Sequence, residues 1–365
     1  MSPALDRASS RVLAGERIDR SDAATLWNEA DDALLSRLAT HVRARFHAPD
    51  RATYVIMAIV NYTNVCVARC DYCAFYKFPG EAGTYVLSFE DVVKRIDVVA
   101  GHGGQLVGFN GGFHPELGVE DYCNLFRRLH AHYGDKLAFY EMTIAEFMFV
   151  AKRSKLSYDE AVSQFRAAGT RWITGGGAEV LDDAFRLRHS PGKYKVEDFY
   201  DAQRAVLEGG LGSTATMVIG FDETLEERLN HLERLRAFQD ERIAAGRQLS
   251  SFLCWTYKPY NTELGGHEVP TQEYLRHLAL CRIYLDNIVN IRTSVLTRNE
   301  DALLGLQYGA NDFDLPTEDE VTQKAGATVS LDFEHILDAA RRIGFTPVQR
   351  GAWQIGGGTS ESASA

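Results

Sequence analysis

The chain has 365 residues, of which 45% are hydrophobic and 11% aromatic, which is enough material for the large core of an α/β barrel. With 39 Lys plus Arg against 50 Asp plus Glu, the formal net charge is −11, so the chain lacks the basic surface that would neutralise nucleic-acid phosphates. The sequence contains no apolar run of about 18 residues and no signal-peptide pattern, so we expect a cytoplasmic protein without a membrane or nucleic-acid partner.

The first fifty residues are rich in polar side chains and predict helices over 21–39 and 38–46, outside the main domain. From residue 51 onward, short apolar runs alternate with amphipathic stretches. The apolar runs predict seven strands, at 54–60, 105–109, 137–142, 171–174, 213–219, 251–255 and 288–293. The amphipathic stretches predict six helices, at 88–100, 119–132, 158–168, 196–208, 225–245 and 271–287.

This alternation of strands and helices favours a barrel of parallel strands, with an eighth unit around 310–326. A doubly wound open sheet remains the alternative, because alternation alone does not show that the sheet closes. We therefore predict an α/β protein: a helical extension over 1–50, then a near-complete eight-stranded (βα) barrel with a closing C-terminal segment over 51–350. Residues 351–365, which end in a Gly- and Ser-rich stretch, are predicted to form a flexible tail.

Three of the six cysteines, Cys66, Cys70 and Cys73, follow the first predicted strand within eight residues. Iron–sulfur cubanes usually take four Cys ligands, so three thiolates would leave one iron open to a ligand that is not protein. One alternative is a zinc site completed by His102 or His114. The other is three buried cysteines without a metal. The remaining cysteines, at 123, 254 and 281, have no metal-ligand spacing and predict buried small side chains.

This Cys-x3-Cys-x2-Cys loop, with the aromatic Tyr72 before its last cysteine, resembles the radical S-adenosylmethionine (SAM) superfamily. The resemblance implies a barrel with a [4Fe–4S] cluster on Cys66, Cys70 and Cys73. It also implies that the open iron binds the amino and carboxylate groups of SAM. An electron from the cluster would then split SAM to give a 5′-deoxyadenosyl radical.

Further motifs stand at the ends of predicted strands, where the chemistry of an α/β barrel is concentrated. Asn110, Gly111 and Gly112 resemble the Gly-rich segment that contacts the amino group of SAM in this superfamily. Glu141 is a candidate for the ribose hydroxyls or, equally, for an outward salt bridge. Glu179 follows three glycines and would point over the barrel mouth. The strand 214–220, with Met217 and Ile219, resembles the strand that contacts the adenine.

From about residue 10 to residue 350, the chain resembles the dehypoxanthine futalosine cyclase family of menaquinone biosynthesis. The stretches that support this resemblance are 61–66, 73–76, 111–115, 175–179, 214–220, 259–262, 309–313 and 347–350. The resemblance implies a ring closure in which hydrogen leaves C4′ of the substrate ribose and the carbon radical adds to the attached benzoate ring. It also implies a nucleoside-like substrate and an electron donor such as a flavodoxin or a ferredoxin.

Two stretches depart from this family's pattern. Residues 290–295 read Asn-Ile-Arg-Thr-Ser-Val where Asn-Ile-Gln-Ala-Ser-Trp is typical, and Asp-Leu-Pro at 314–316 replaces a run of small residues. The alternative hypothesis is therefore a related radical SAM enzyme that forms a carbon–carbon bond on another nucleoside-like substrate. The catalytic residues remain unknown. His114 and His189 are candidate bases by position, and Arg292 is a candidate partner at the lumen mouth for the substrate's benzoate.

Overall fold

Residues 2–352, the part of the chain that the computed structural model describes, form eight β-strands and fourteen α-helices. The strands are β1 (Arg51–Val60), β2 (Leu106–Phe109), β3 (Ala138–Tyr140), β4 (Ala215–Ile219), β5 (Phe252–Thr256), β6 (Ile291–Thr293), β7 (Asp312–Asp319) and β8 (Thr346–Gln349). The first seven helices are α1 (Pro3–Leu13), α2 (Arg20–Glu29), α3 (Asp32–Arg43), α4 (Phe89–Gly101), α5 (Val119–Tyr133), α6 (Ile144–Arg153) and α7 (Tyr158–Ala167). The others are α8 (Asp183–His189), α9 (Val196–Glu208), α10 (Leu225–Ala244), α11 (Thr271–Tyr284), α12 (Val295–Arg298), α13 (Glu320–Lys324) and α14 (Phe333–Arg342).

The parallel strands follow each other around the barrel in the order β3, β2, β1, β7, β6, β5, β4. The predicted strand at 171–174 forms isolated bridges to its neighbours rather than a regular strand, but it takes the place between β3 and β4. The Thr174 N–H donates to the Met142 carbonyl at 2.9 Å, and the Ile173 N–H donates to the Gly212 carbonyl at 3.1 Å. Backbone hydrogen bonds thus continue around the whole ring. The barrel is confirmed, and the open doubly wound sheet is excluded.

The helices outside the ring bury the apolar faces that their periodicity predicted. In α10, Leu229, Leu232, Leu235 and Phe238 are buried against the barrel. The helix begins where the Thr224 side chain accepts from the Glu227 N–H, a capping arrangement that satisfies a free backbone donor. Throughout residues 2–352, no helix combines the length and the apolarity that crossing a bilayer requires.

The N-terminal extension contains three helices, and its predicted boundaries were partly wrong. The predicted helix at 21–39 is divided, because Asp31 caps a new helix by accepting from the Leu34 N–H at 2.7 Å. The extension is fixed to the barrel's outer helices by buried apolar side chains such as Leu35 and Leu38, and by Arg276, which donates to the Trp27 carbonyl at 2.6 Å.

The C-terminal segment closes the floor of the barrel, at the N-terminal ends of the strands. Strand β8 pairs in parallel with the first half of β1. Ala352, which was predicted to lie in the flexible tail, is 5% exposed and packs in a cluster with Val55, Leu106, Ala138 and Tyr140. The tail therefore cannot begin at residue 351. Residues 353–365 lie outside the described part of the chain.

Candidate active site

A cavity of about 280 Å³ fills the lumen of the barrel, from the rim at the carboxyl ends of the strands to the floor. Because all strands of the ring run in the same direction, the loops after β1 and β2 meet at this rim. The cavity is lined there by all three clustered cysteines, Tyr72, Asn110, Gly111, Gly112 and Glu179. Its walls include the aromatic side chains of Tyr140 and Trp255, and Arg292 and Asp314 lie deep inside.

The three cysteines are free thiols in a loop that several backbone contacts hold in place. The Cys66 N–H donates to the Lys77 carbonyl at 2.9 Å, and the Cys73 N–H donates to the Cys70 carbonyl at 3.2 Å. Burial raises the pKa of the Cys70 thiol to about 12 and also raises the pKa of Cys73. A bound metal cluster would hold these two groups as thiolates, because coordination to a metal removes the thiol proton. Soft thiolate donors spaced along one wall of a cavity fit an iron–sulfur cluster, whose irons are bound separately.

The two histidines considered for a zinc site lie outside the cavity lining. His102 caps α4 and packs edge-on against Phe333. His114 accepts from the Glu116 N–H at 3.2 Å and so fixes its own loop. Within residues 2–352, no group of three or more His, Cys, Asp or Glu side chains has the geometry to hold a single metal ion.

The loop Asn110-Gly111-Gly112 packs directly against the cysteine loop. A Cβ atom on Gly112 would lie 2.2 Å from the Val65 carbonyl oxygen, so only glycine allows this approach. The Gly111 N–H donates to the Glu146 carboxylate at 2.8 Å, and the Tyr62 hydroxyl donates to the same oxygen. Burial raises the pKa of Glu146 to about 7. Glu146 was not among the predicted site residues, although the spacing of Thr143 and Glu146 is that of a capping box, which the structure contains.

Glu179 lies at the rim with a positive φ of 43°, which turns the chain back over the cavity. Its carboxylate accepts from Lys193 Nζ at 3.0 Å, and the same Lys193 nitrogen donates to the Tyr72 hydroxyl at 3.3 Å. Arg186 contributes a second ion pair to Glu179, at 3.5 Å. The contacts of Lys193 and Arg186 could not be predicted from the sequence. Both residues lie far from the cysteines in the chain, and only the folded barrel brings them to the site.

Three predicted cofactor-binding side chains point away from the cavity. Glu141 is fully buried outside the lumen and pairs with His130 of α5 at 3.0 Å, so the outward salt bridge was the correct alternative. Met217 and Ile219 are buried in the core outside the lumen, whereas Thr216 and Val218 line the cavity. Alternate residues of a strand face opposite sides, so a register wrong by one residue selects the wrong pair.

His189 is likewise absent from the cavity lining. Its Nδ1 lies 3.0 Å from Asp71 of the cysteine loop, and its Nε2 lies 2.7 Å from Asp222. The Asp71 N–H donates to the His189 carbonyl at 3.2 Å. His189, the last residue of α8, thus connects the cysteine loop to Asp222, which follows β4. Its contacts give it a positioning role rather than that of a base in the lumen.

Arg292 lies near the floor of the lumen rather than at its mouth, so the predicted position was wrong. Its Nε donates to Asp312 at 2.7 Å, and Arg350 donates to both oxygens of the same carboxylate, at 2.7 and 2.9 Å. These two cations hold the pKa of Asp312 below its ordinary value against the opposing effect of burial. Asp314 and Pro316, from the second departing stretch, also line the cavity. The two departures from the family pattern therefore meet on neighbouring strands.

The chain is similar to known families and proteins over most of its length. Residues 60–235 match the family model of the radical SAM superfamily, and residues 247–354 match that of the CofH/MqnC C-terminal region. The cyclic dehypoxanthine futalosine synthase of Halalkalibacterium halodurans is 34% identical over 95% of this chain and 93% of that protein. The protein of the same name from Streptomyces coelicolor is 35% identical over 96% of this chain and 87% of its own length. The aminodeoxyfutalosine synthase of Thermus thermophilus is 31% identical, over 96% and 95%.

Two solved structures share the fold at low sequence identity. Methylornithine synthase superposes with a TM-score of 0.69 at 16% identity, covering 94% of this chain and 98% of that one. The [FeFe]-hydrogenase maturase HydG superposes with a TM-score of 0.72 at 13% identity, covering 95% and 76%. From the family match and the near full-length relatives, we conclude that the chain belongs to the radical SAM superfamily and is an enzyme whose cofactors are a [4Fe–4S] cluster and SAM.

Proposed function

We propose that the enzyme converts dehypoxanthine futalosine into cyclic dehypoxanthine futalosine in the futalosine route to menaquinone. The observation that supports this most is the cysteine triad at the rim of a closed lumen, in a chain that is 34 and 35% identical to two cyclic dehypoxanthine futalosine synthases over nearly its full length. The 31% identity to an aminodeoxyfutalosine synthase supports the same pathway.

In this proposal, Cys66, Cys70 and Cys73 hold the cluster as thiolates, and the loop 110–112 and Glu179 bind SAM. When bound, the cluster and SAM supply a 5′-deoxyadenosyl radical. Glu146 keeps the Gly111 N–H fixed in the rim, and Lys193 keeps Glu179 and Tyr72 in position. The barrel walls exclude water and stray hydrogen donors from the lumen and align the two carbons that react.

The ring closure breaks the C4′–H bond of the substrate ribose and forms a carbon–carbon bond to the aromatic ring. The substrate then loses one proton and one electron to restore aromaticity. Cleavage of SAM consumes one electron and the substrate releases one, so the overall reaction needs no net oxidant or reductant. Substrate and SAM give cyclic product, methionine, 5′-deoxyadenosine and one proton. A reductant such as a flavodoxin or a ferredoxin is therefore needed to prime the cluster rather than in every turnover.

The proposal is tested by incubating reduced, cluster-loaded enzyme anaerobically with SAM and dehypoxanthine futalosine, followed by mass spectrometry. We expect a product that has lost two hydrogen atoms, with 5′-deoxyadenosine in equal amount, and neither compound from the Cys70→Ala variant. Cleavage of SAM with unaltered substrate would instead favour the alternative, a related carbon–carbon bond-forming enzyme with another nucleoside-like substrate. The observation that favours this alternative is the pair of departures, Arg292 and Asp314, inside the cavity.

A further inference from the structure

The rim of the lumen has two halves that offer different groups to a ligand. The cysteines, the loop 110–112 and Glu179 follow β1, β2 and the extended segment 171–174, and the proposed function gives this half to the cluster and SAM. The segments that follow β5 and β7 belong to the other half, where Lys258 and Val321 line the cavity. This second half is the part of the rim left for the substrate.

Three cationic side chains among the described residues line the cavity: Lys193, Lys258 and Arg292. Two of them have close partners inside the barrel. Lys193 lies beside the cysteines and is held by Glu179 at 3.0 Å. Arg292 donates to the buried Asp312 at 2.7 Å, and its Nη2 is enclosed by protein. Neither cation is therefore placed to receive an anion on the substrate half of the rim.

Lys258 uses little of its hydrogen-bonding capacity. It is 8% exposed, and within residues 2–352 its Nζ has a single hydrogen-bond partner, Glu268 at 2.6 Å. An ammonium carries three N–H donors, so two remain for a ligand. The Glu268 side chain lies outside the cavity lining and is 33% exposed, so water screens its charge. An anion in the lumen would thus meet a cation that the protein neutralises only in part.

The cavity wall beside Lys258 is aromatic. Trp255 on β5 and Tyr257 directly after it both line the cavity. Flat apolar walls favour an aromatic ring, and a neighbouring ammonium favours a negative substituent on that ring. This part of the cavity therefore has the chemistry of a site for an aromatic carboxylate.

The loop that follows Lys258 also reaches the cysteine loop. Lys258 lies two residues beyond the end of β5, and the Leu264 N–H of the same loop donates to the Asp71 carbonyl at 2.8 Å. A group bound by Lys258 therefore lies at the level of the cysteines rather than at the floor of the lumen. A substrate held there can present its ribose to a radical that forms at the same rim.

We propose that Lys258 binds the carboxylate of the substrate's benzoate group, with the ring against Trp255 and Tyr257. The assignment rests on the proposed function, which supplies the benzoate. It moves the expected anion contact from Arg292 on β6 to Lys258 after β5. The ammonium fixes one end of the substrate, and C4′ of the ribose faces the cysteine half of the rim.

The test compares dehypoxanthine futalosine with its analogue in which a carboxamide replaces the carboxylate. Isothermal titration of unreduced, cluster-loaded enzyme with SAM should show that wild type binds the carboxylate about 10- to 100-fold more tightly than the carboxamide. Lys258→Met should lose this preference and bind the carboxamide as wild type does. Lys258→Arg, which keeps a cation, should retain most of it. An unchanged preference in Lys258→Met would overturn the proposal.

Two controls distinguish this role from a structural one. Glu268→Gln removes the partner of Lys258 but keeps the ammonium, so it should bind the carboxylate at least as tightly as wild type. If Glu268→Gln loses the preference as fully as Lys258→Met does, the pair only holds its loop and the proposal fails. SAM should bind to Lys258→Met as tightly as to wild type. Weaker SAM binding would assign Lys258 to the cofactor and would also overturn the proposal.

Benzoate alone tests the subsite without the proposed substrate. Ligand-observed NMR on cluster-loaded enzyme with SAM should give a lower Kd for benzoate than for benzamide. This difference should vanish in Lys258→Met and persist in Arg292→Met. That result would support the subsite even if dehypoxanthine futalosine is not converted and the proposed function fails. Equal Kd values in wild type, or a difference that vanishes only in Arg292→Met, would refute the subsite.

Discussion

Asp312 pairs with Arg292 and Arg350 at the floor of the lumen. We therefore expect Asp312→Asn to lower the stability of the protein strongly. Asp312 is fully buried and accepts four hydrogen bonds: two from Arg350, one from Arg292 and one from the Thr53 hydroxyl at 2.6 Å. Asparagine offers one acceptor oxygen, and its NH₂ group would face donors. Two buried guanidinium groups would then lose their counter-charge. Breaking a buried ion pair from one side costs about 3–5 kcal/mol.

Thermal unfolding checks this magnitude. At about 2 °C per kcal/mol for a chain of this size, Asp312→Asn should melt roughly 6–10 °C below wild type. The matched control is Asp240→Asn, which makes the same substitution at an exposed ion pair with Arg17. Surface pairs contribute about 0–1 kcal/mol, so this control should melt within about 2 °C of wild type. Equal melting temperatures for the two variants would contradict the role assigned to Asp312.

Further predictions concern the cofactor site and the pH dependence of stability. Cys70→Ala should lose the cluster's absorbance and all 5′-deoxyadenosine formation while keeping the far-UV circular dichroism of wild type; a variant that still cleaves SAM would contradict the ligand assignment. Glu146→Gln weakens the contact that fixes the Gly111 N–H and should raise the KM for SAM roughly 5- to 30-fold, or about 1–2 kcal/mol; an unchanged KM would make Glu146 purely structural. Burial raises the pKa of Asp314 from 3.8 to about 6, so its contribution to stability is complete below pH about 4 and is lost as the pH rises through 6. The unfolding free energy of wild type should therefore fall relative to that of Asp314→Asn by about 2 kcal/mol between pH 4 and 6 in urea titrations, and a constant difference would refute the shift.

The barrel could be predicted from local patterns, because strand and helix periodicity depends on each residue's own neighbours. The helix predicted at 225–245 is found at Leu225–Ala244, and the unit predicted at 310–326 is found as β7 and α13. The strand at 171–174 was placed correctly in the chain, but it has too few ladder hydrogen bonds to be regular. Helix α6 was missed because its capping box at Thr143 was not recognised.

The site was harder to predict than the fold, because side-chain direction and tertiary contacts decide it. The cysteines with Tyr72, and the loop 110–112, were recognised from two short contiguous motifs, and all of these residues line the cavity. The prediction that Met217 contacts the cofactor was wrong, because a strand's register cannot be fixed from a single sequence. Lys193 and the pairing of Arg292 with Asp312 depend on residues that lie far apart in the chain and meet only in the folded barrel.

Isotope transfer tests most directly whether the radical chemistry begins at C4′ of dehypoxanthine futalosine. Reduced, cluster-loaded enzyme is incubated anaerobically with SAM and substrate deuterated at C4′, and the 5′-deoxyadenosine is analysed by mass spectrometry. We expect one deuterium in each 5′-deoxyadenosine formed and a cyclised product without the label. Unlabelled 5′-deoxyadenosine, or label transferred only from a different carbon of the substrate, would contradict it.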